Sequence, residues 1–306
     1  MREHGPPEVL VAAEVPEPVP GEGEVVVEVE LASVTFVETQ VRAGRAPNPA
    51  MAPRLPAIPG NGVGGSVEGV RVITTTGGSG GYAERVAVPA AGLIEVPEPL
   101  ELAAAVALLA DGRTATGLMR GAGVRPGETV LVEAAAGGVG TLLVQLARNA
   151  GARVIGAAGA PRKLELAREL GAGDVVDYTR PGWEAGLAGR VDVVFDGVGG
   201  AIGRAAFATL RPGGRLCSFG LASGAFTRVA AEEADAREVT LVRGARPTPE
   251  ETAELTRSAL AEAAAGRLRP VIGQTFSLEQ AAAAHAAIEA RATVGKTLLR
   301  ARPSSS

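Results

Sequence analysis

Residues 129–150, TVLVEAAAGGVGTLLVQLARNA, decide the fold. A short β-branched run at 129–133 is followed by apolar positions at Val139, Leu142, Leu143, Leu146, Ala147 and Ala150, the spacing of one helix face. Between run and helix stands Ala135-x-Gly137-x-x-Gly140, a glycine turn of the dinucleotide-binding type with alanine at its first position. Gly137 would let the backbone approach a pyrophosphate, and Gly140 would let the helix pack tightly on the strand. The helix start, at Gly138 and Val139, offers unpaired N–H groups and the positive end of the helix dipole to phosphates.

A lone turn of this kind is weak evidence, because glycine-rich strand-to-helix turns also occur for purely steric reasons. The context strengthens it. A strand at 153–157, a helix at 161–170, a short strand at Val175 and Val176 and a strand at 191–196 follow, which is the βαβ alternation of a parallel, doubly wound sheet. The second strand also bears on which nucleotide fits. A site for NAD places an acid about 20 residues beyond the glycine turn, to hold the ribose 2′-OH. Here that place reads Gly156-Ala157-Ala158-Gly159, no acid stands between Thr141 and Leu164, and Arg162 and Lys163 come just after. Two cations without a carboxylate suit a 2′-phosphate, so the pattern favours NADP(H). The plainer reading of Arg162 and Lys163, a solvated helix start, leaves the missing acid unexplained.

A chain of 306 residues is long enough for two domains, and its net charge of −4 with no basic run argues against a nucleic-acid surface. Aromatics at 3% offer few platforms for stacking bases. The single cysteine, Cys217, lies in an apolar strand at 215–219, so burial is expected and a disulfide within one chain is excluded. The first residues, MREHGPPEVL, have no apolar core of signal-peptide length and no apolar run approaches about 20 residues. The expectation is a cytoplasmic protein with no membrane partner, ending in a polar, frayed tail, ARPSSS.

Upstream of the glycine turn, strands are expected at 25–31, 66–75 and 82–88, a short helix at 33–44 and a Pro-rich loop at 47–59. An alanine-rich helix at 101–119 leads into the nucleotide domain. Downstream come strands at 215–219 and 238–242, a helix at 249–265, a short strand at Val271, a helix at 278–291 and a last strand at 296–300. We read 1–108 with 251–306 as a β-rich domain and 109–250 as the nucleotide domain, with the cleft between them the natural site.

Taken together, GPPEVL, PGEGEVVVEV, FVETQVRAG, PGNGVGG, GGYAERVAVPA, LVEAAAGGVG, ARELGAGDVVDYTR, DVVFDGVGG, LRPGGRLCSFGLASG and GKTLLR resemble, in order, the zinc-free quinone oxidoreductases of the ζ-crystallin type in the medium-chain dehydrogenase/reductase superfamily. The resemblance implies an α/β fold, a Rossmann doubly wound parallel sheet plus a β-rich GroES-like catalytic domain. It implies NADPH use and places Gly159, Lys163, Tyr178 and Arg291 around the adenosine 2′-phosphate, Thr114 near the nicotinamide amide, and Phe219, Gly220 and Leu221 along the cofactor's outer edge. Phe226 would cap the ring or fill core, the core role being expected.

Relatives that oxidise alcohols hold a catalytic zinc, yet the matching positions here read Thr35 and Gly60-Asn61-Gly62, so no metal is expected. Without a Lewis acid, hydride addition suits an electron-poor acceptor, a quinone or an α,β-unsaturated carbonyl, whose developing negative charge needs only a hydrogen-bond donor. The asparagine and tyrosine usual on the pocket helix are here Thr35 and Gln40, both able to donate but neither a good proton source at neutral pH. The expected function is an NADPH-dependent reductase of a small-molecule electron acceptor. Alternatives are an enoyl or polyketide-tailoring reductase, or a non-catalytic NADPH-binding sensor. A homodimer is expected, partly by analogy and partly because the strands at 215–219 and 238–242 would form an open sheet edge.

Overall fold

The computed structural model describes residues 1–242 and 247–301; apart from Ala301, the tail ARPSSS lies outside the described residues. Strand β1 (Glu24–Val34) runs into a short helix α1 (Phe36–Arg42), followed by β2 (Gly62–Val67), β3 (Val70–Thr75), β4 (Arg85–Pro89), β5 (Ile94–Glu95) and the long helix α2 (Leu102–Ala122). Next come β6 (Thr129–Glu133), α3 (Gly138–Asn149), β7 (Arg153–Ala158), α4 (Pro161–Glu169), β8 (Asp174–Asp177), β9 (Val191–Asp196), α5 (Gly200–Thr209), β10 (Leu210–Ser218), α6 (Ala231–Ala236), β11 (Thr240–Leu241) and α7 (Pro249–Ala264). The described chain closes with β12 (Ile272–Ser277), α8 (Ala281–Glu289) and β13 (Lys296–Arg300).

Two compact units result: Met1–Ala110 together with the chain from Pro270 on, and Asp111–Arg269. The return therefore falls at 270 and not at the expected 251, because α7 belongs to the second unit. Its Thr256, Ala259 and Leu260 are buried, Glu254 pairs with Arg120 of α2 at 2.8 Å, and Gln145 of α3 holds both the carbonyl and the N–H of Arg269 at 2.9 Å.

In the second unit the described strands form one parallel sheet in the order β11-β10-β9-β6-β7-β8. Read from the other edge this is the strand order of the doubly wound dinucleotide-binding fold, with β6 at its centre. Parallel neighbours need a crossover, and α5, a helix that sequence periodicity did not reveal, supplies it between β9 and β10. Leu131, Ile155, Val191, Val194, Phe207 and Leu210 pack into the core of this sheet, each side chain stabilising by roughly 1.5–3 kcal/mol relative to exposure. Cys217 is fully buried and desolvation pushes its thiol up to about 12, an inert packed sulfhydryl.

The first unit is built on a sheet in the order β12-β13-β1-β2-β3-β5, with β4 also paired to β1. The run expected as one strand at 66–75 is instead a tight hairpin of β2 and β3. Glu68 and Gly69 form its two-residue loop at φ 50° and 84°, a left-handed pair whose twist matches the flanking strands. Strand β4 starts later than expected, because Tyr82 is drawn off to pack on Gly60, where a Cβ would stand 2.3 Å from the ring. Phe226, expected in the core, is 47% exposed. Helix α2, at 21 residues, passes by length and composition as a membrane-crossing helix, although charges break its apolar run. Its stretch Ala105, Val106, Ala107, Leu108 and Leu109 is buried in protein, and Asp111 and Arg113 follow it.

A buried polar group ties α1 and α8 together in the first unit. Arg42 is 1% exposed, donates to the carbonyl of Gly5 at 2.7 Å and pairs with Glu289. Its charge and, above all, burial push His285 down to about 4, and the neutral ring meets the Tyr82 hydroxyl through Nε2 at 3.0 Å. Above the unfolded value of 6.5 the ring is neutral in both states; as pH falls below it, only the unfolded chain takes the proton, until the folded value near 4 is reached. Unfolding free energy is expected to drop across that window by on the order of 3 kcal/mol. Denaturant titrations over pH should show part of this drop missing in His285→Gln; identical profiles would clear His285 of the effect.

The glycine turn sets the seat of α3 on the second sheet. Ala134 takes φ 47°, and a Cβ on Gly140 would stand 2.1 Å from the Ala134 carbonyl oxygen. Gly140→Ala should therefore force helix and strand apart, costing about 1–3 kcal/mol in urea unfolding. A variant as stable as the parent would show that the helix has room to spare.

Candidate functional site

At the carboxyl ends of the parallel strands the chain repeatedly dispenses with side chains. Ala135 is fully buried behind the turn, its N–H donating to the Ala157 carbonyl at 3.1 Å, so that β6 and β7 leave the sheet side by side. Gly137 is the N-cap of α3 and, having no side chain, gives the first N–H groups of the helix no side-chain cap. A Cβ on Gly137 would meet only the Ala134 carbonyl oxygen, at 3.2 Å, so packing asks for glycine here less firmly than at Gly140. Gly138 is a different case. A Cβ there would lie 2.0 Å from Oδ2 of Asp111, which brings a carboxylate from α2 against the start of α3. Sequence reasoning missed Asp111, since nothing in an alanine-rich helix marks which acid will face another helix's amino end.

On the next strands, the structure brings Gly159 and Tyr178 to one corner, beside the start of α4. Ala158 at the end of β7 pairs with Asp177 at the end of β8, and the Tyr178 N–H donates to the Ala158 carbonyl at 3.3 Å. The Tyr178 ring lies 3.1 Å from where a Gly159 Cβ would stand, while Lys163 sits in the first turn of α4. Asp177 is a second residue that the sequence reading passed over. Its carboxylate accepts from the Thr179 N–H at 3.0 Å and the Thr179 hydroxyl at 2.6 Å, bonds that hold it below the usual carboxylate range and turn its charge toward Thr179. Arg291 belongs to the other compact unit, following α8 with φ 55°, a left-handed position that a non-glycine residue adopts at a cost of about 1–2 kcal/mol.

Beyond β9 and β10, Phe219 and Gly220 both donate backbone N–H bonds to the Asp196 carbonyl, at 2.9 and 3.2 Å. Gly197 and Gly220 let these two strand ends touch: a Cβ on Gly220 would stand 2.2 Å from the Gly197 carbonyl oxygen, and one on Gly197 2.9 Å from the Phe219 ring. Leu221 closes the following turn by accepting from the Gly224 N–H at 2.8 Å. Thr114 is half-buried on α2, three residues beyond Asp111.

In the first unit, Thr35 is the N-cap of α1 in a reciprocal capping box. Its hydroxyl accepts from the Glu38 N–H at 3.3 Å and donates to Glu38 Oε2 at 2.9 Å, and its own N–H reaches the same oxygen at 2.6 Å. The Asn61 N–H binds the other oxygen of Glu38 at 2.8 Å. Burial lifts the Glu38 carboxyl above its ordinary value even against these donors and Lys296. Gln40 is buried, donating to the Thr39 hydroxyl at 3.1 Å and accepting from Arg45 at 3.2 Å. Both residues can donate in principle, but Thr35's one hydroxyl hydrogen is already committed to Glu38. The carboxylate that Thr35 and Asn61 meet is Glu38, itself occupied by backbone N–H groups, and a threonine, an asparagine and one engaged carboxylate are a donor set that does not fit zinc. Among the described residues no cluster of three or more His, Cys, Asp or Glu side chains is placed to hold a metal ion.

Residues 170–299 match the zinc-binding dehydrogenase family. A quinone oxidoreductase of Pseudomonas aeruginosa is 32% identical, with 97% of each chain covered. A 2-haloacrylate reductase of a Burkholderia species is also 32% identical, over 98% of this chain and 97% of that one. Among solved structures, the quinone oxidoreductase of Escherichia coli complexed with NADPH superposes with a TM-score of 0.89 at 29% identity, covering 98% of both chains. Full-length similarity of this degree, on a parallel sheet that carries the glycine turn at its centre, makes the chain a member of the quinone oxidoreductase family of medium-chain dehydrogenase/reductase enzymes.

Proposed function

We propose that the chain is an NADPH-dependent reductase that delivers hydride to a quinone or another α,β-unsaturated carbonyl. The observation that carries this reading is the corner at the ends of β7 and β8. Its backbone ends in Ala158 and Gly159 where an NAD site would carry an acid, and Lys163 and Tyr178 stand beside it. Bound NADPH would supply the hydride. The α3 start with Gly137, Gly138 and Val139 would take the pyrophosphate, Lys163, Tyr178 and Gly159 the 2′-phosphate, and Thr114, Ala135, Phe219 and Leu221 the rest of the cofactor. The 2-haloacrylate reductase among the relatives supports an activated alkene as well as a quinone.

Toward the acceptor, we assign the hydrogen-bonding role to Gln40 and Thr35. Gln40 keeps one amide hydrogen beyond the bond to Thr39, whereas Thr35 is released only when Glu38 is protonated and becomes the donor of their shared bond. The raised Glu38 carboxyl makes that protonated form more accessible. A sensor without turnover is the second reading, and the engaged donor of Thr35 is the observation in its favour.

Fluorescence titration should show NADPH binding well and NADH poorly, and Lys163→Ala should weaken NADPH by about 1.5–3 kcal/mol, the scale of a hydrogen bond to a charged group, with little effect on NADH. Equal losses for both cofactors would remove Lys163 from the phosphate site. Steady-state NADPH oxidation with a panel of simple quinones, 2-haloacrylates and enoyl thioesters should give turnover on at least the quinones or acrylates. Turnover on enoyl thioesters alone would move the assignment to a tailoring reductase, and no turnover on any acceptor would favour the sensor.

A further inference from the structure

Beneath the two nucleotide-facing loops of the second unit lies a pair of acids that the proposed chemistry does not use. Glu133 ends β6, one residue before the glycine turn, and Asp196 ends the neighbouring β9. Both are 0% exposed. Asp196 has an acceptor's environment: one oxygen takes the Gly199 N–H at 2.7 Å and the other the Ser218 hydroxyl at 2.8 Å. Glu133 has a deficit. Its Oε2 takes a single bond, from the Val198 N–H at 3.2 Å, and its Oε1 is buried with no partner. Two ionised carboxylates side by side in such a place are ruled out by desolvation and mutual repulsion. One proton resolves both difficulties, because a neutral Glu133 is a donor and Asp196 lies within hydrogen-bonding reach.

We infer that Glu133 carries a proton donated to Asp196, and that this shared hydrogen bond is a positioning device that clamps the ends of β6 and β9 and so fixes the glycine turn against the 197–200 and 219–221 segments. The role rests on the nucleotide-binding reading above. Its physical links are short: Ala134 follows Glu133 directly at φ 47°, Val198 and Gly199 are held by the two carboxyls, and Phe219 and Gly220 hang on the Asp196 carbonyl. Burial first, and Asp196 second, raise the Glu133 carboxyl well above its usual range, in keeping with the shared proton. Ser218 comes from β10, and Thr227, whose buried hydroxyl also lacks a partner, approaches Asp196 across Gly203. The charged groups Glu128, Asp192, Arg211 and Arg215 pair with one another at the opposite, amino end of the strands.

Glu133→Gln keeps the shape and makes the donor permanent, since an amide N–H replaces the titrating O–H. In the protein without nucleotide, infrared difference spectra at neutral pH should show a protonated carboxyl band that Glu133→Gln removes. NADPH affinity of the parent, read by fluorescence, should fall with rising pH once the shared proton leaves, by up to about tenfold per pH unit. Glu133→Gln should lack that component, and Asp196→Ala, which deletes the acceptor, should bind weakly at every pH. No protonated band lost on substitution, or parallel pH profiles for parent and Glu133→Gln, would overturn the inference. If neither protein binds NADPH at any pH, the nucleotide role falls together with the function it rests on, while the band alone still decides whether the proton is there.

Discussion

The contact on which the second unit depends is the near-touch of helix α3 and strand β6 at Gly140 and Ala134. A helix can point its N-terminal N–H groups along the mouth of a parallel sheet only if its first turn lies almost on the strand that precedes it. That distance is set by the absence of a Cβ on Gly140, 2.1 Å from a backbone oxygen if one were present. The left-handed Ala134 supplies the abrupt change of direction. Everything at the carboxyl end of the sheet inherits this geometry, because β7 and β9 are registered on β6 residue by residue, from Thr129 opposite Arg153 to Glu133 opposite Ala157. The same sparing of side chains recurs where β9 and β10 end, at Gly197 and Gly220, so that three adjacent strand ends present backbone rather than bulk.

What could be read from the sequence was whatever is local. The glycine turn, the helix face of 139–150, the last strand and the helix from Pro249 each carry their signal within a few residues, and the structure has them where periodicity and caps put them. What escaped depends on partners distant in sequence. The hairpin at Glu68-Gly69 looked like one strand because β-branched residues stand on both sides of it and its turn has only two residues. Helix α5 is short, and glycine and alanine in it blur the apolar stripe. The membership of α7 rests on Gln145 meeting Arg269 across 124 residues, a contact with no local mark.

The site divides in the same way. As candidates for a nucleotide site, Ala135 and Gly137 were legible because bare backbone writes glycine and alanine into the chain, and Gly159 came with the family resemblance. Asp111, Asp177 and the Glu133–Asp196 pair were not, since a carboxylate reads alike in sequence whether it is solvated, capped by Thr179 or sharing a proton. Their environments come from pairings between strands, as in the 63 residues that separate Glu133 from Asp196 by number but not by register. Two acids at the carboxyl ends of this sheet therefore differ in charge for structural reasons: Asp177 is held ionised by hydroxyl and N–H donors, while Glu133 is driven neutral by burial and a like-charged neighbour.

The capping box at Thr35 shows why acceptor chemistry resists reading from residue types. Taken as letters, threonine and glutamine offer donors enough for an acceptor oxygen. In place, Thr35's hydrogen is given to Glu38, and Glu38 is itself bound by two backbone N–H groups, from Thr35 and Asn61. Helix α1 is so short that its first turn cannot be held by propagation along the helix, and the box does that work. One hydroxyl thus serves the fold through its oxygen and the proposed chemistry through its hydrogen, and a single proton on Glu38 sets whether that hydrogen is free. A residue whose oxygen caps a helix in either state of its partner, and whose hydrogen is freed when that partner is neutral, links the proposed donor to the protonation of Glu38 and so to the proton a reductase must deliver after hydride transfer.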